Sequence, residues 1–323
     1  MKSEENSYVF VERRSDLHLI GAELKREAAI GVDLEADSMF HYYEKICLLQ
    51  ISTPSKNIII DPLALEDLSE LSLIFADPGI RKVFHGADYD IRSLHRDFGI
   101  EVHSLFDTQI AATFLGIREI GLANLLKDRL GIALEKKYQK KDWSERPLPR
   151  PMLDYAAKDA SYLLPLSNML EEDLRIKGRL FCVKEECERL SKVRSNQTGC
   201  SPLFLKFKGA GLLDPRSLSV LETILQFRDC MAKKLDRPPF KVLGNEQVNK
   251  MVKEKPRSLD ELRKKECLSP KQIKGFGRSL SKRIDRVLAL PEDALFVYPK
   301  KHGRRVGHKA AKRVKALKKW LFC

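Results

Sequence analysis

Three short apolar segments follow one another between residues 28 and 61, and the connections between them are short. The segments span 28–35, 46–52 and 57–61, and each is rich in β-branched residues and bounded by glycine, proline or polar residues. This pattern predicts three successive strands. Because a parallel crossover needs a dozen or more residues, the short connections predict antiparallel pairing.

Beyond residue 61 the pattern changes to alternating helices and strands. Apolar spacing predicts helices over 65–76, 88–98, 122–130 and from 152 to beyond 170, and a strand over 81–85. Helices that alternate with strands cover the faces of a sheet. The first half of the chain is therefore predicted to be an α/β domain, with a mixed sheet flanked by helices.

The second half has no strand pattern. Leu218, Leu221 and Leu225 form a helical stripe, and the Ser-x-x-Glu sequence from Ser258 to Glu261 is typical of a capping box. These features predict an all-helical bundle. The polar cluster at 195–199 suggests the boundary between the two domains. The predicted parts are a first domain with a linker helix at 1–195, a linker at 196–212, a helical domain at 213–290 and a tail at 291–323.

Basic residues are concentrated at the C-terminus. The chain carries 59 Lys and Arg against 45 Asp and Glu, a net charge of +14, and ten of these basic residues lie in 300–319. Apolar residues recur there at helical spacing, so the tail is predicted to contact nucleic acid as a basic amphipathic helix. A membrane surface, a protein partner and a solvated tail are the alternatives. The apolar positions are Val306, Ala310, Val314, Leu317 and Leu321.

The seven cysteines are odd in number and widely spread, without a Cys-x-x-Cys pair of the zinc type. Reduced thiols in the cytoplasm are the simplest interpretation. No apolar stretch approaches the ~20 residues that a membrane span needs. The sequence predicts neither secretion nor insertion into a membrane.

Two carboxylates interrupt the first apolar strand. Asp33 and Glu35 are two residues apart, so alternation along a strand places them on one face. Two like charges held together favour a bound cation. A solvated strand end is the alternative, but Asp33 directly follows the apolar run 30–32, where an unpaired charge is costly.

Two further sets of polar residues follow later strands and helices. Tyr155 and Asp159 are four residues apart on a predicted helix, where they share a face and can act together. A packed tyrosine beside an exposed acid is the alternative. Asp88 and Asp90 follow the strand at 81–85, where carboxylates commonly contribute to sites, although Asp88 also suits a helix N-terminus.

Taken in order, these motifs resemble those of ribonuclease D and the exosome-associated 3′-to-5′ exoribonuclease. The matching segments are 32–35 (VDLE), 84–90 (FHGADYD), the Tyr155-x-x-x-Asp159 pair and 139–148 (QKKDWSERPL), and the similarity covers most of 20–175. Residues 221–243 with 258–262 resemble the helicase-and-RNase-D C-terminal (HRDC) domain, a helical nucleic-acid-binding module.

The resemblance implies a ribonuclease-H-like mixed sheet with four carboxylates around two divalent ions, Mg²⁺ or Mn²⁺. By motif alignment the ligands are Asp33, Glu35, Asp90 and Asp159, with Tyr155 beside them. Asp90 is chosen over Asp88 because the family's acid falls five residues after the histidine of His-Gly-Ala. A free tyrosine has a pKa near ~10, so Tyr155 is expected to orient the attacking water rather than to act as an anionic base.

The function that the resemblance implies is removal of nucleotides from RNA with a free 3′ end, in the trimming of structured RNA such as tRNA precursors. A DNA 3′-to-5′ exonuclease and a nucleic-acid-binding protein without activity are the alternatives. The aromatic residues at 40–43 suit either stacking on a terminal base or core packing. The oligomeric state stays open.

Overall fold

The computed structural model describes residues 8–65, 67–135, 137–195, 201–299 and 307–321. Their contacts divide them into two compact units. The first comprises the described residues of 1–37, 45–196 and 306–323, and the second those of 38–44 and 197–305. Residues 196–200 of the predicted linker and residues 300–306 of the predicted tail lie outside the described residues.

The first unit contains a six-stranded mixed sheet, as predicted. Its strands lie in the order β1-β4-β3-β2-β5-β6. Strands β2, β3 and β4 pair antiparallel, which confirms the predicted hairpins, whereas β1–β4, β2–β5 and β5–β6 pair parallel. The strands are β1 (Tyr8–Val11), β2 (Ala29–Ala36), β3 (Ile46–Ser52), β4 (Asn57–Ile60), β5 (Arg81–Phe84) and β6 (Leu105–Asp107).

Eight helices of the first unit flank this sheet or connect its strands. They are α1 (Arg14–Leu24), α2 (Ser69–Ala76), α3 (Asp88–Phe98), α4 (Thr108–Leu115), α5 (Leu122–Leu130), α6 (Arg150–Ser161), α7 (Leu163–Ile176) and α8 (Leu180–Ser191). The sequence pattern did not predict β1, α1, β6 or α4. A strand as short as β6 is too brief to show a two-residue period.

The prediction of one helix from 152 to beyond 170 was wrong, because the structure divides this segment at Tyr162. There the backbone has φ −104° and ψ 4°, and α7 begins one residue later. Pro165 is the physical reason. It has no N–H to donate to the Ser161 carbonyl, and its ring would clash with that carbonyl in a continuous helix.

The second unit contains helices but no strand among its described residues, and it has its own core. Its helices are α9 (Pro215–Leu235), α10 (Pro239–Val242), α11 (Asn245–Glu254), α12 (Leu259–Lys264), α13 (Pro270–Gln272) and α14 (Arg278–Leu288). The predicted stripe of Leu218, Leu221 and Leu225 is buried in this core. The Ser258 hydroxyl oxygen accepts a hydrogen bond from the Glu261 N–H at 3.2 Å, so this serine caps α12.

Residues 38–44 connect β2 to β3 in sequence but cluster with the helical unit. The Tyr42 hydroxyl donates to the Asp229 carboxylate at 2.9 Å, and the Tyr42 ring packs against the helical core. The Lys241 ammonium lies 4.2 Å from the centre of the Phe40 ring. Of the two interpretations of the aromatic segment, the structure therefore favours packing for Tyr42.

The C-terminal helix α15 spans His308–Leu321. Val314 and Leu317 on this helix are exposed, and the Arg179 guanidinium lies 5.1 Å from the Trp320 ring centre. Among the described residues, no helix is both long enough and apolar enough to cross a membrane.

Candidate active site

The first two candidate residues lie on β2, in the interior of the sheet. β2 pairs with β3 on one side and β5 on the other, and Asp33 and Glu35 project from the same face. The pairing register shifts directly after Glu35, where the strand ends. Both carboxylates are half-buried.

Helix α6 brings the next two residues to this face. Tyr155 and Asp159 are one helical turn apart, and burial and the charge of Asp159 contribute to the raised pKa of the Tyr155 hydroxyl. Both side chains are largely buried, with Tyr155 7% and Asp159 9% exposed. The tyrosine ring lies between Tyr138 and Trp143, at centre-to-centre distances of 5.6 and 6.3 Å. These contacts hold the hydroxyl in place.

Gly31 permits the close approach of α6 to β2. A Cβ atom at this position would collide with the Ser52 hydroxyl and lie 3.1 Å from the Ala160 carbonyl oxygen. The Ser52 hydroxyl donates to that same carbonyl at 2.8 Å, which ties the end of α6 to β3. The residue after Asp159 is therefore fixed to the sheet beside Asp33.

The two acids of the 84–90 segment, Asp88 and Asp90, lie in different surroundings. Asp88 is exposed and accepts a hydrogen bond from Arg92 at 2.9 Å, which lowers its pKa. Asp90 is half-buried, and its pKa is raised well above the ordinary value by burial and then by the charges of Asp33 and Asp107. This arrangement supports the choice of Asp90.

Asp107, which the sequence analysis missed, fixes the turn that precedes these two acids. It is 1% exposed, and its carboxylate accepts hydrogen bonds from the N–H groups of Gly86 at 3.0 Å and Ala87 at 2.7 Å. Gly86 has a φ of +74°, a conformation that glycine adopts readily. Asp107 also caps α4. An acid directly before a helix was the only sequence signal for this role.

Three of the predicted ligands converge. Each of Asp33, Glu35 and Asp159 has a carboxylate oxygen within 4.8 Å of the other two. Asp90 is not in this group of three, but its charge is close enough to raise the pKa of Glu35. Burial is the larger cause of that rise, and the charges of Asp33 and Asp159 add to it.

The remaining pKa shifts follow from the same crowding. Burial raises the pKa of Asp33 to about 6. Burial and the charge of Asp33 raise the pKa of Asp159 to about 7, although the hydrogen bond from Tyr155 opposes this. The pKa of Tyr155 is also raised, first by burial and then by the charges of Asp159 and Glu35. The tyrosine is therefore a protonated hydrogen-bond donor at neutral pH.

Two cavities of about 290 Å³ open beside these carboxylates, and Asp159 lines both. Asp33 and His85 line one, and Tyr155 and Lys158 line the other. Burial lowers the pKa of His85, so its imidazole is neutral. Each cavity is slightly smaller than the usual small-ligand site, whose volume is roughly 300–1,000 Å³.

His85 is held in one orientation by a threonine. Its Nδ1 lies 2.9 Å from the Thr108 hydroxyl, which donates its own hydrogen to the Phe84 carbonyl at 3.0 Å. Nδ1 must therefore carry the proton, which leaves Nε2 as an acceptor.

Comparison with known proteins places this arrangement in a family. A family model described as 3′-5′ exonuclease matches residues 8–175, which is the part of the chain that contains all of these side chains. The chain belongs to the DEDD-type 3′-5′ exonuclease family. A second model, described as an HRDC domain, matches residues 217–284 in the helical unit.

Relatives of this exonuclease family share both parts of the chain. The catalytic core of RRP6 from Trypanosoma brucei is 32% identical, with a TM-score of 0.76, over 90% of this chain and 82% of that structure. Ribonuclease D from Escherichia coli is 29% identical, with a TM-score of 0.74, over 97% of this chain and 83% of that structure.

The exosome complex exonuclease RRP6 of Saccharomyces cerevisiae is 32% identical over 76% of this chain but only 36% of its own length. The chain spans less than half the length of the curated exosome-type relatives that it matches.

Proposed function

We propose that this protein is a 3′-to-5′ exoribonuclease that hydrolyses the terminal phosphodiester of RNA with the help of two divalent ions. The observation that carries the proposal is the convergence of Asp33, Glu35 and Asp159 within 4.8 Å, in a chain of the 3′-5′ exonuclease family. Asp90 and Tyr155 complete the proposed site.

The residues fit divalent cations of the magnesium type. All four proposed ligands are carboxylates, and hard oxygen ligands suit Mg²⁺ and Mn²⁺. Burial and then the charges of Asp33, Asp159 and Asp90 raise the pKa of Glu35, because a further negative charge is costly in this crowded site. A cation would relieve this repulsion, and Asp33, Glu35, Asp90 and Asp159 would hold it.

When bound, two such ions supply a water acidified enough to attack near neutral pH and neutralise charge on the attacking and leaving oxygens. The side chains of this protein contribute the positions of the reacting groups. Asp33 and Glu35 are fixed by the sheet, and Asp159 is fixed by α6. The protonated Tyr155 hydroxyl is a donor beside Asp159, where it orients the water rather than removing its proton.

We propose structured RNA with a free 3′ end as the substrate class, and tRNA precursors as one example. The solved ribonuclease D of Escherichia coli is titled an exoribonuclease involved in structured RNA processing. The HRDC domain and the basic helix α15 would add contacts to the phosphate backbone. We also propose a reducing compartment such as the cytoplasm, since Cys47, Cys187 and Cys267 are buried free thiols.

Matched RNA and DNA oligonucleotides, labelled at the 5′ end and incubated with Mg²⁺ or Mn²⁺, test this function. We expect a ladder of products shortened one nucleotide at a time, with RNA cleaved faster than DNA. The Asp33→Asn protein is the control for a contaminating nuclease.

Three results would contradict the proposal. Preferential cleavage of DNA would make the protein a DNA exonuclease, and tight binding without cleavage would leave it a binding protein. Internal cuts in a circular RNA would exclude an exonuclease mechanism.

A further inference from the structure

Gln50 is a buried amide that has no hydrogen-bond partner among the described residues. It lies on β3 and is 1% exposed, and neither its Oε1 nor its Nε2 is paired with any of the described residues. Leaving such a group unpaired is energetically costly, and native proteins contain few of them. This cost suggests that a partner forms in another state of the protein.

The sheet register places this amide beside the candidate active site. Gln50 is directly opposite Asp33 in the antiparallel pair of β2 and β3. Opposite residues share a face of the sheet, with Cβ atoms roughly 4.5–5.5 Å apart. Glu35 is instead opposite Leu48, so it is only a diagonal neighbour of Gln50.

The neighbours of Gln50 along β3 show what covers this face. Leu48 packs in one cluster with Tyr155, and Ser52 donates to the Ala160 carbonyl at 2.8 Å. Both contacts reach α6. Gln50 therefore lies on β3 between two side chains that contact the helix carrying Asp159.

We propose that Gln50 is a positioning residue for Asp33, and that its Nε2–H donates to the Asp33 carboxylate when that carboxylate holds a divalent ion. An ionised carboxylate has about four acceptor positions, so it can accept this bond while it binds a cation. Such partners orient a ligand, and losing one costs roughly 10- to 100-fold in metal affinity. The proposal rests on the proposed function in that Asp33 is taken as a ligand.

Like Asp37 and Ser93, Trp143 also has a buried polar atom without a partner among the described residues. Its Nε1 is a donor only, so it cannot accept a hydrogen bond from the Gln50 Nε2. Asp33 is the acceptor that the register places closest on this face.

Binding of Mn²⁺ to the full chain without nucleic acid, measured by electron paramagnetic resonance, tests the proposal. Gln50→Met keeps the approximate volume and removes the hydrogen-bonding groups. We expect its Mn²⁺ affinity to fall roughly 10- to 100-fold. The melting temperature in EDTA should be unchanged or higher, because an unpaired buried amide has been removed. Gln226→Met, in the helical unit, is the matched control and should bind Mn²⁺ as the wild type does.

A double-mutant cycle shows whether Gln50 acts through Asp33. In the Asp33→Asn background, Gln50→Met should cause no further loss of Mn²⁺ affinity. An equal loss in both backgrounds, or wild-type affinity in Gln50→Met alone, would overturn the proposal. Retention of full Mn²⁺ affinity by Asp33→Asn would instead contradict the metal site itself. The Mn²⁺-binding assay contains no RNA, so its result does not depend on whether the protein cleaves RNA.

A second measurement uses the wild-type chain, in case Gln50→Met does not fold. With glutamine labelled by ¹⁵N, one exchange-protected side-chain amide should shift when Mg²⁺ is added. If all buried glutamine amides keep their resonances at saturating Mg²⁺, the proposed hydrogen bond does not form.

Discussion

At the scale of single residues, the site combines two kinds of acidic group with different functions. Asp33 and Asp159 are carboxyls whose pKa values are raised to about 6 and about 7, and Tyr155 is a phenol that stays protonated. The carboxylates are suited to hold cations, whereas the phenol can only donate or accept a hydrogen bond. Substitutions at these positions should therefore differ in severity.

Asp33→Asn should reduce exonuclease turnover by roughly 10²–10³-fold or more, because it removes the charge of a proposed ligand. Tyr155→Phe should leave a measurable remainder, roughly 10- to 100-fold below wild type, because only an orienting hydroxyl is lost. Single-turnover rates on a 5′-labelled oligonucleotide give the comparison. Equal losses would contradict the division of functions.

Asp90→Asn and Asp88→Asn form a matched pair on α3. We expect Asp90→Asn to inactivate the protein, because Asp90 is a proposed metal ligand that lies close enough to Asp33 to feel its charge. We expect Asp88→Asn to be silent, because Asp88 is exposed and contacts Arg92. The same single-turnover assay distinguishes them, and the reverse outcome would make Asp88 the fourth ligand.

The crowded carboxyls should also make the metal-free protein sensitive to pH. The folded-state pKa values of Asp33 and Asp159 exceed the ordinary 3.8, so between about pH 4 and pH 7 the folded state binds more protons than the unfolded state. These two groups therefore contribute to the free energy of unfolding at low pH, and their contribution is lost as the pH rises. In EDTA, the melting temperature of the wild type should therefore fall between about pH 4 and pH 7 relative to Asp33→Asn.

Trp143 fluorescence, with Trp320→Phe in both proteins, reports on the unit that contains the site. The chain has two tryptophans, so this substitution leaves a single probe. Parallel pH profiles for the two proteins would show that Asp33 does not have a raised pKa.

At the scale of elements, the site depends on how closely α6 approaches the sheet. The segment that was expected to be one helix is divided at Tyr162, and the last turn of α6 is tied to β3 by the Ser52–Ala160 hydrogen bond. Gly31 leaves the necessary space. Adding one methyl group at Gly31 on β2 should therefore displace Ala160 on α6.

Gly31→Ala should displace the Ala160 carbonyl and with it Asp159. A displacement of about 1 Å costs roughly 10²-fold in rate, so we expect turnover to fall by 10- to 100-fold. Gly275→Ala is the control, since a Cβ there meets no atom within 4 Å. Circular dichroism verifies folding, and wild-type turnover in Gly31→Ala would show that the approach of α6 is adaptable.

At the scale of the whole molecule, the proposed catalytic residues and the cluster of basic residues lie in different parts of the chain. The proposed ligands all lie in the exonuclease match at 8–175, whereas the ten basic residues of 300–319 follow the HRDC match at 217–284. Helix α15 carries six of these ten, namely Lys309, Lys312, Arg313, Lys315, Lys318 and Lys319. The tail should therefore change binding more than catalysis.

Deletion of residues 300–323 should flatten the salt dependence of single-strand binding. Affinity falls with salt at a log-log slope of about −0.7 for each phosphate neutralised, so the change in slope counts the contacts of the tail, with ten as the ceiling. Fluorescence anisotropy at several salt concentrations measures it. Trp320→Ala, which keeps every charge, should retain the wild-type slope.

Cleavage of a very short oligonucleotide at saturation should change little when the tail is deleted. An unchanged salt slope after deletion would exclude the tail from RNA binding and favour a protein partner or a role in solubility.

The sequence by itself determined what depends on local geometry. Alternation on a strand places Asp33 and Glu35 on one face, and one helical turn separates Tyr155 from Asp159, so both pairs were predictable without a fold. The antiparallel hairpins followed from short connections. The division at Tyr162 was missed although Pro165 is visible in the sequence, because apolar spacing continues across it.

Only the tertiary structure decided which of these local features meet. The approach of Asp159 to Asp33 depends on the packing of α6 against β2, and Asp107 fixes the turn before Asp90 from the end of another strand. Gln50 looks like any polar residue in a strand until the register pairs it with Asp33. A sequence pattern specifies the face on which a side chain lies. Contacts between distant elements depend on how the whole core packs, and no local period records that.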